Sequence, residues 1–134
     1  PLGTIPKLPK SDVLIRKAIR AHIGPNETMT IWGYADRFFV YEHLPAGNRL
    51  PHSYWIYTKS PLQTHRQREL IDDLDQNKPA LFLDAMVAPV STIYVPDNVN
   101  YRHEKFPIIA KYVREHYTLV DVVKGARFYR RKKE

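Results

Sequence analysis

Aromatic and basic side chains gather in residues 28–57, directly after a short apolar run that ends at Gly33. Ring faces and cationic hydrogen-bond donors are groups that bind a sugar or a phosphate. Rings within the apolar patterns, such as Trp32, are expected to fill the core, whereas residues in or beside loops are equally suited to binding. The candidate ligand- or membrane-facing residues are Tyr34, Asp36, Arg37, Arg49, His52, Tyr54 and Asp84.

Two carboxylates, Asp36 and Asp84, stand near the ends of predicted strands, where a pair could act as general acid and base. Structural roles are more common for such residues: Asp36 can cap a helix, and Asp84 can accept a loop hydrogen bond. A small hydrolase-like enzyme built on this pair and a histidine is the weakest hypothesis, because no motif accompanies it. We expect no catalytic residue in this chain.

The sequence lacks the motifs of several common sites. Because there is no cysteine, disulfides, thiolate zinc sites and thiol nucleophiles are excluded. The five glycines stand alone, unlike those of a phosphate-binding loop, and the six histidines form no HxxxH or HxH pair. No serine has a GxSxG context. We therefore expect neither a cofactor nor a metal site.

The elements that must position these residues alternate between helices and short apolar strands. Helices are predicted over residues 12–23, 36–43, 64–77 and 106–116. Strands are predicted over residues 28–32, 53–57 and 80–86, before a closing hairpin with its turn at Lys124 and Gly125. Ser11 is expected to cap the first helix, and residues 89–104 are expected to form a long loop.

This alternation predicts an α/β fold, a small layered sandwich whose mixed, partly parallel sheet is flanked by helices and ends in a β-hairpin. A length of 134 residues and a hydrophobic share of 43% suit one domain, which we place at residues 11–131. Residues 1–10 are expected to be a linker, and the letters PLG are typical of the remnant left after an affinity tag is cleaved. Residues 132–134 form a basic tail.

The formal charge of +7 favours an anionic partner. Basic residues gather near both ends of the chain, within residues 7–20 and 127–133. If both ends lie on one side of the fold, that side attracts anionic lipid headgroups by about 1 kcal/mol per nearby basic residue. Solvated charges that bind nothing are equally consistent with this pattern.

Two stretches, WGYADRFFVYEHLPAGNRLPHSYWIY and RELIDDLDQNKPALFLDAM, resemble the C-terminal soluble domain of polytopic membrane glycosyltransferases that use a polyprenyl-phosphate-linked sugar, the protein mannosyltransferase-like class. The matching residues are Trp32, Gly33, Tyr41, Asn48, Arg49, Leu50, Pro51, Ser53, Tyr54, Asp73, Leu74, Lys78, Pro79, Asp84 and Tyr117. The resemblance covers residues 11–131, although His52 stands where arginine is commoner. No transmembrane helix stands before Ser11, which a cut just after the last membrane span would explain.

The resemblance implies that catalysis uses an acidic residue in a membrane-proximal loop outside this sequence. This domain would be non-catalytic and extracytoplasmic, in the bacterial periplasm or at the cell exterior, where it covers the membrane-embedded active site and helps position the acceptor. Its expected partners are the transmembrane portion of its own parent chain, an anionic membrane surface and a glycan or lipid-linked acceptor, whereas nucleic acid is not expected. Arg37, Arg49, His52 and Tyr54 would then affect positioning.

A second hypothesis rests on the charge of +7 and the nine tyrosines. These features suit an independent binding module for an anionic polymer, either nucleic acid or acidic glycan. Such binding would weaken steeply with salt.

Overall fold

A computed structural model describes residues 7–50, 53–91 and 101–133 of the chain. The strands in this part are β1 (Met29–Trp32), β2 (Leu81–Asp84), β3 (Tyr117–Val123) and β4 (Ala126–Arg131). The helices are α1 (Lys10–His22), α2 (Arg37–Tyr41), α3 (Tyr54–Tyr57), α4 (Gln63–Asn77) and α5 (Pro107–His116), with a 3₁₀ turn at His103–Lys105.

The four strands form one mixed sheet in the order β1-β2-β4-β3. β1 and β2 are parallel, while β4 is antiparallel to both β2 and β3. β3 and β4 are joined by a two-residue turn in which Lys124 and Gly125 both have positive φ, the conformation that suits a tight hairpin. The predicted α/β fold with a partly parallel sheet and a closing hairpin is confirmed.

Helices cover both faces of the sheet. On one face, α1 and α2 pack Ile15, Ile19 and Phe38 against alternate residues of β1, β2 and β4. On the other, α4 and α5 pack against Trp32 and Phe82. All four residues of β2 are buried, as the continuous apolar run predicted.

The strand predicted over residues 53–57 is wrong, because these residues form a single helical turn, α3. The carbonyl oxygen of Ser53 accepts hydrogen bonds from the backbone N–H of Ile56 at 2.8 Å and of Tyr57 at 3.2 Å, which closes the turn. Ile56 and Tyr57 are buried beside Trp32. A short β-rich run has no decisive period of its own, so packing determines its conformation.

The predicted cap at Ser11 is also wrong. α1 begins at Lys10, and the backbone N–H of Val13 already donates to the carbonyl of Pro9 at 3.1 Å, so Ser11 lies inside the first turn. The other helix predictions are confirmed to within a few residues, including Pro107 at the start of α5. Within the predicted loop over 89–104, residues 92–100 lie outside the described residues, and His103 belongs to a 3₁₀ turn.

The two ends of the strands form two opposite edges of the sheet, and both are important for the site. The carboxyl edge, where β1 and β2 end, holds Gly33 and Asp84, and it also holds the hairpin turn, since the carbonyl of Gly125 accepts a hydrogen bond from Arg102. α1 begins at this edge and, with 13 residues, extends about 18 Å to the other. There, Arg130 near the end of β4 donates to the carbonyl of His22 at 3.0 Å.

This geometry separates the basic ends of the chain. Lys10, in the first turn of α1, lies at the carboxyl edge, whereas β4 ends with Arg130 and Arg131 at the opposite edge. The last turn of α1, with Arg20, lies near the end of β4. The two basic segments as a whole therefore do not share one side of the fold.

Candidate functional site

Asp84 is the centre of a buried polar cluster at the carboxyl edge. Its carboxylate accepts hydrogen bonds from the backbone N–H groups of Met86 at 3.1 Å and His103 at 3.2 Å, and lies 2.5 Å from Nδ1 of His103. The guanidinium of Arg102 lies 3.6 Å from the second carboxylate oxygen. A buried carboxylate needs such partners, because an unpaired charge in the interior is strongly unfavourable.

His103 is held in one orientation by this carboxylate. An ionised carboxylate can only accept hydrogen bonds. We therefore place a proton on Nδ1, the ring nitrogen nearer to Asp84. The ring packs edge-on against Phe82 and Tyr129, with ring centroids 5.2 and 5.1 Å away. An imidazole oriented in this way by a carboxylate presents Nε2 to a ligand or a reacting group.

Asp84 and its loop hydrogen bond were predicted from the sequence, whereas its partners Arg102 and His103 were not. Both follow a segment without helical or strand periodicity, so no pattern places them. The available signal was indirect, since a carboxylate at the end of a fully buried strand must be paired with a donor from elsewhere. The structure does not bring Asp36 to this cluster; the contacts of Asp84 are with Met86, Arg102 and His103.

Arg37 fastens α2 to the first turn of α1. Its guanidinium donates two hydrogen bonds of 2.9 Å to the two carboxylate oxygens of Asp12, which is almost fully buried. It also lies 4.6 Å from the ring centroid of Phe38. The hydrogen bonds and charge of Asp12 raise the pKa of Arg37 despite its burial. This predicted binding residue thus has a clear structural role.

Arg49 is held in a second ion-pair cluster, on α4. It donates to Asp73 through its backbone N–H at 2.9 Å and through its guanidinium at 2.8 Å, and to Glu69 at 2.7 Å. Burial raises the pKa of Asp73, but the hydrogen bonds and charge of Arg49 outweigh burial and hold that pKa below its usual value.

The contribution of Asp73 to stability is therefore expected to depend on pH. A carboxyl whose pKa is lower in the folded chain stabilises the fold above the unfolded value of 3.8, and this stabilisation is lost as the pH falls through the folded pKa. We expect Asp73→Asn to lower the urea midpoint at pH 7 and to lower it less and less below about pH 4. Urea denaturation between pH 7 and pH 2.5 measures this, and a difference that stays constant would contradict it.

The loop between α2 and α3 is tied to the end of β1 by two further contacts. The Ser53 hydroxyl accepts a hydrogen bond from the backbone N–H of Gly33 at 2.5 Å. The hydroxyl of Thr30 donates to the side-chain carbonyl of Asn48, whose amide donates to the carbonyl of Leu50. These contacts fix the loop to the sheet.

The remaining predicted site residues do not come together in one cluster. Tyr34 is half-buried, and its backbone N–H donates to the hydroxyl of Ser91 at 3.1 Å. Asp36 precedes α2 but its side chain makes no capping hydrogen bond, because its φ and ψ are already helical rather than extended. Tyr54 is the first residue of α3. His52 lies outside the described residues.

Residues 7–50, 53–91 and 101–133 contain neither a metal-binding cluster nor a membrane-spanning helix. No group of three or more histidine, aspartate or glutamate side chains is arranged to hold a metal ion there. In the same residues, no helix is both long enough and apolar enough to cross a membrane.

Comparison with known proteins adds no relative. No protein-family model matches the chain, and no curated protein or solved structure matches it either. The functional conclusion therefore depends on the residues and their geometry.

Proposed function

We propose that this chain is the non-catalytic extracytoplasmic C-terminal domain of a membrane glycosyltransferase that transfers a sugar from a polyprenyl-phosphate donor. In this proposal the domain covers the membrane-embedded active site and helps position the acceptor. The resemblance of residues 11–131 to such domains is its starting point. The expected partners remain the transmembrane portion of the parent chain, the anionic membrane surface and a glycan or lipid-linked acceptor.

The observation that carries the proposal is the position of α1 relative to the sheet. The ion pair between Arg37 and Asp12 places the first turn of α1 beside the end of β1. A membrane segment that precedes Lys10 would therefore bring the carboxyl edge, with Gly33 and Asp84, toward the membrane. Sites in α/β proteins are commonly built at this edge. Lys7 and Lys10 would then lie near the lipid headgroups, which attract basic residues.

The pairing of polar groups with one another in this domain also suits a supporting role. Arg49 binds Asp73, and Ser53 binds Gly33, so these residues hold the loop that follows α2 against α4 and against the end of β1. The hydroxyl of Tyr117 donates to the carbonyl of Pro79 at 2.7 Å, which fixes the start of β3 to the end of α4.

The independent binding module for an anionic polymer has less support. Arg16 and Arg20 both bind Glu42, and Arg130 makes two hydrogen bonds of 2.7 Å to Glu27. Guanidinium groups engaged in this way are less available to a polymer phosphate or carboxylate.

The orientation can be tested in the full-length parent, because this chain contains no cysteine of its own. Lys124→Cys places a label in the hairpin turn at the carboxyl edge, and Lys133→Cys places the matched label beyond β4 at the opposite edge. In a parent without other accessible cysteines, we expect a photocrosslinker on Cys at position 124 to capture the transmembrane portion or lipid, and one at position 133 to do so far less.

A deletion of residues 11–134 tests the function itself. We expect sugar transfer from a lipid-linked donor to fall while the membrane portion is still made. Unchanged transfer at an unchanged protein level would overturn the proposed function. Preferential crosslinking from position 133 would overturn the orientation.

A further inference from the structure

A groove lies between α5 and the face of the β3–β4 hairpin, with a volume of about 510 Å³. Its lining includes His103, Arg114, Thr118, Leu119, Tyr129 and Lys132. This volume is within the range of about 300–1,000 Å³ that is typical of small-molecule sites. All of these residues lie in the described part of the chain.

His103 is the fixed polar group of the groove. Its side chain is 5% exposed, and its Nδ1 is directed at Asp84, which leaves Nε2 as the ring nitrogen for a ligand. Among residues 7–50, 53–91 and 101–133, Nε2 has no hydrogen-bond partner. An unprotonated Nε2 accepts a hydrogen bond from a hydroxyl, and a protonated one donates to an anionic oxygen.

The charges around the groove favour an anion. Arg114 and Lys132 line it, and within the described residues the Arg114 guanidinium makes no hydrogen bond or ion pair. Lys132 donates to the backbone carbonyl of Arg114 at 3.1 Å, which places its ammonium group beside α5. The acidic side chain at the groove, Glu104, is paired with Arg127 at 2.9 Å.

The surface between the charged groups suits a compact, hydroxyl-bearing molecule. The half-buried ring of Tyr129 and the exposed side chains of Thr118 and Leu119 combine an aromatic surface, a hydroxyl and an aliphatic surface. Aromatic rings next to hydrogen-bonding groups are typical contacts for the apolar faces and hydroxyls of a sugar.

We propose that this groove binds a sugar phosphate, with Arg114 and Lys132 binding the phosphate and Nε2 of His103 binding a sugar hydroxyl. This inference does not depend on the proposed function, since it uses only the residues that line the groove. It also gives Asp84 a positioning role, because that carboxylate fixes the imidazole.

Titration calorimetry of the chain with a hexose 1-phosphate tests the proposal. We expect this probe to bind more tightly than either inorganic phosphate or the uncharged methyl hexoside. Arg114→Gln and Lys132→Gln should each weaken binding about tenfold, the usual effect of losing one charge-assisted hydrogen bond. Lys111→Gln is the matched control, because Lys111 lies on the same helix but lines a different cavity and faces Glu115.

Three results would overturn the proposal. They are no binding of the hexose 1-phosphate, equally tight binding of inorganic phosphate alone, and equal weakening by Lys111→Gln. Both groove substitutions are at exposed positions, so the variants should fold, and circular dichroism verifies this. Chemical-shift changes centred on Thr118 and Leu119 in an NMR titration would locate the ligand in the groove.

Discussion

Asp84→Ala is expected to lower the free energy of unfolding by about 3–5 kcal/mol, the usual loss when one partner of a buried ion pair is removed. The substitution leaves Arg102, Nδ1 of His103 and two backbone N–H groups without their acceptor in the interior. Urea denaturation followed by circular dichroism measures the change.

Asp121→Ala is the matched control for this loss. Asp121 also binds a histidine, with 3.0 Å between its carboxylate and His22, but 38% of its side chain is exposed. An exposed pair contributes at most about 1 kcal/mol to stability, so the free energy of unfolding of this variant should remain close to that of the unsubstituted chain. If the two variants lost equal stability, the importance of burial for the Asp84 cluster would be contradicted.

Gly33→Ala is expected to destabilise the chain by about 3 kcal/mol. Gly33 has φ of +123°, a conformation that other residues rarely adopt. An added Cβ would lie 3.1 Å from the carbonyl carbon and 3.3 Å from the carbonyl oxygen of Ala85. Both are backbone atoms next to β2, so neither can move without disturbing the carboxyl edge.

Gly24→Ala is the control that separates the strain expected at Gly33 from the loss of stability that any glycine replacement could cause. Gly24 is not among the glycines with positive φ, and its added Cβ would lie 2.8 Å from Oε1 of Glu27, a side-chain atom near the surface rather than a backbone atom beside β2. We expect a loss below about 1 kcal/mol. Thermal or urea unfolding of the two variants gives the comparison, and similar losses would argue against backbone strain at Gly33.

The elements that the sequence predicted correctly are those with strong local signals. α5 begins at a proline, the hairpin turns at Lys124 and Gly125, and β2 is a continuous apolar run. α3 was misassigned because its four aromatic and aliphatic residues have no clear period, and its conformation depends on packing around Trp32.

The site was predictable only in part. Asp84 stands at a recognisable strand end, but its partners approach from residues 102–103, whose position depends on the whole fold. Arg37 and Arg49 were visible as loop cations, yet their acceptors Asp12 and Asp73 lie 25 and 24 residues away. A charge pattern along the sequence does not show which distant carboxylate neutralises which cation.

The position of β4 inside the sheet also governs how the chain can fold during synthesis. β4 is the last of the four described strands in sequence, but it is hydrogen-bonded to β2 on one side and to β3 on the other. Until residue 131 has been made, β1 and β2 form a two-stranded parallel pair, which is marginally stable by itself. The hairpin has local contacts and should form quickly, whereas its docking on β2 joins distant parts of the chain. Folding is therefore expected to be a late, cooperative event, with the C-terminal hairpin completing the sheet.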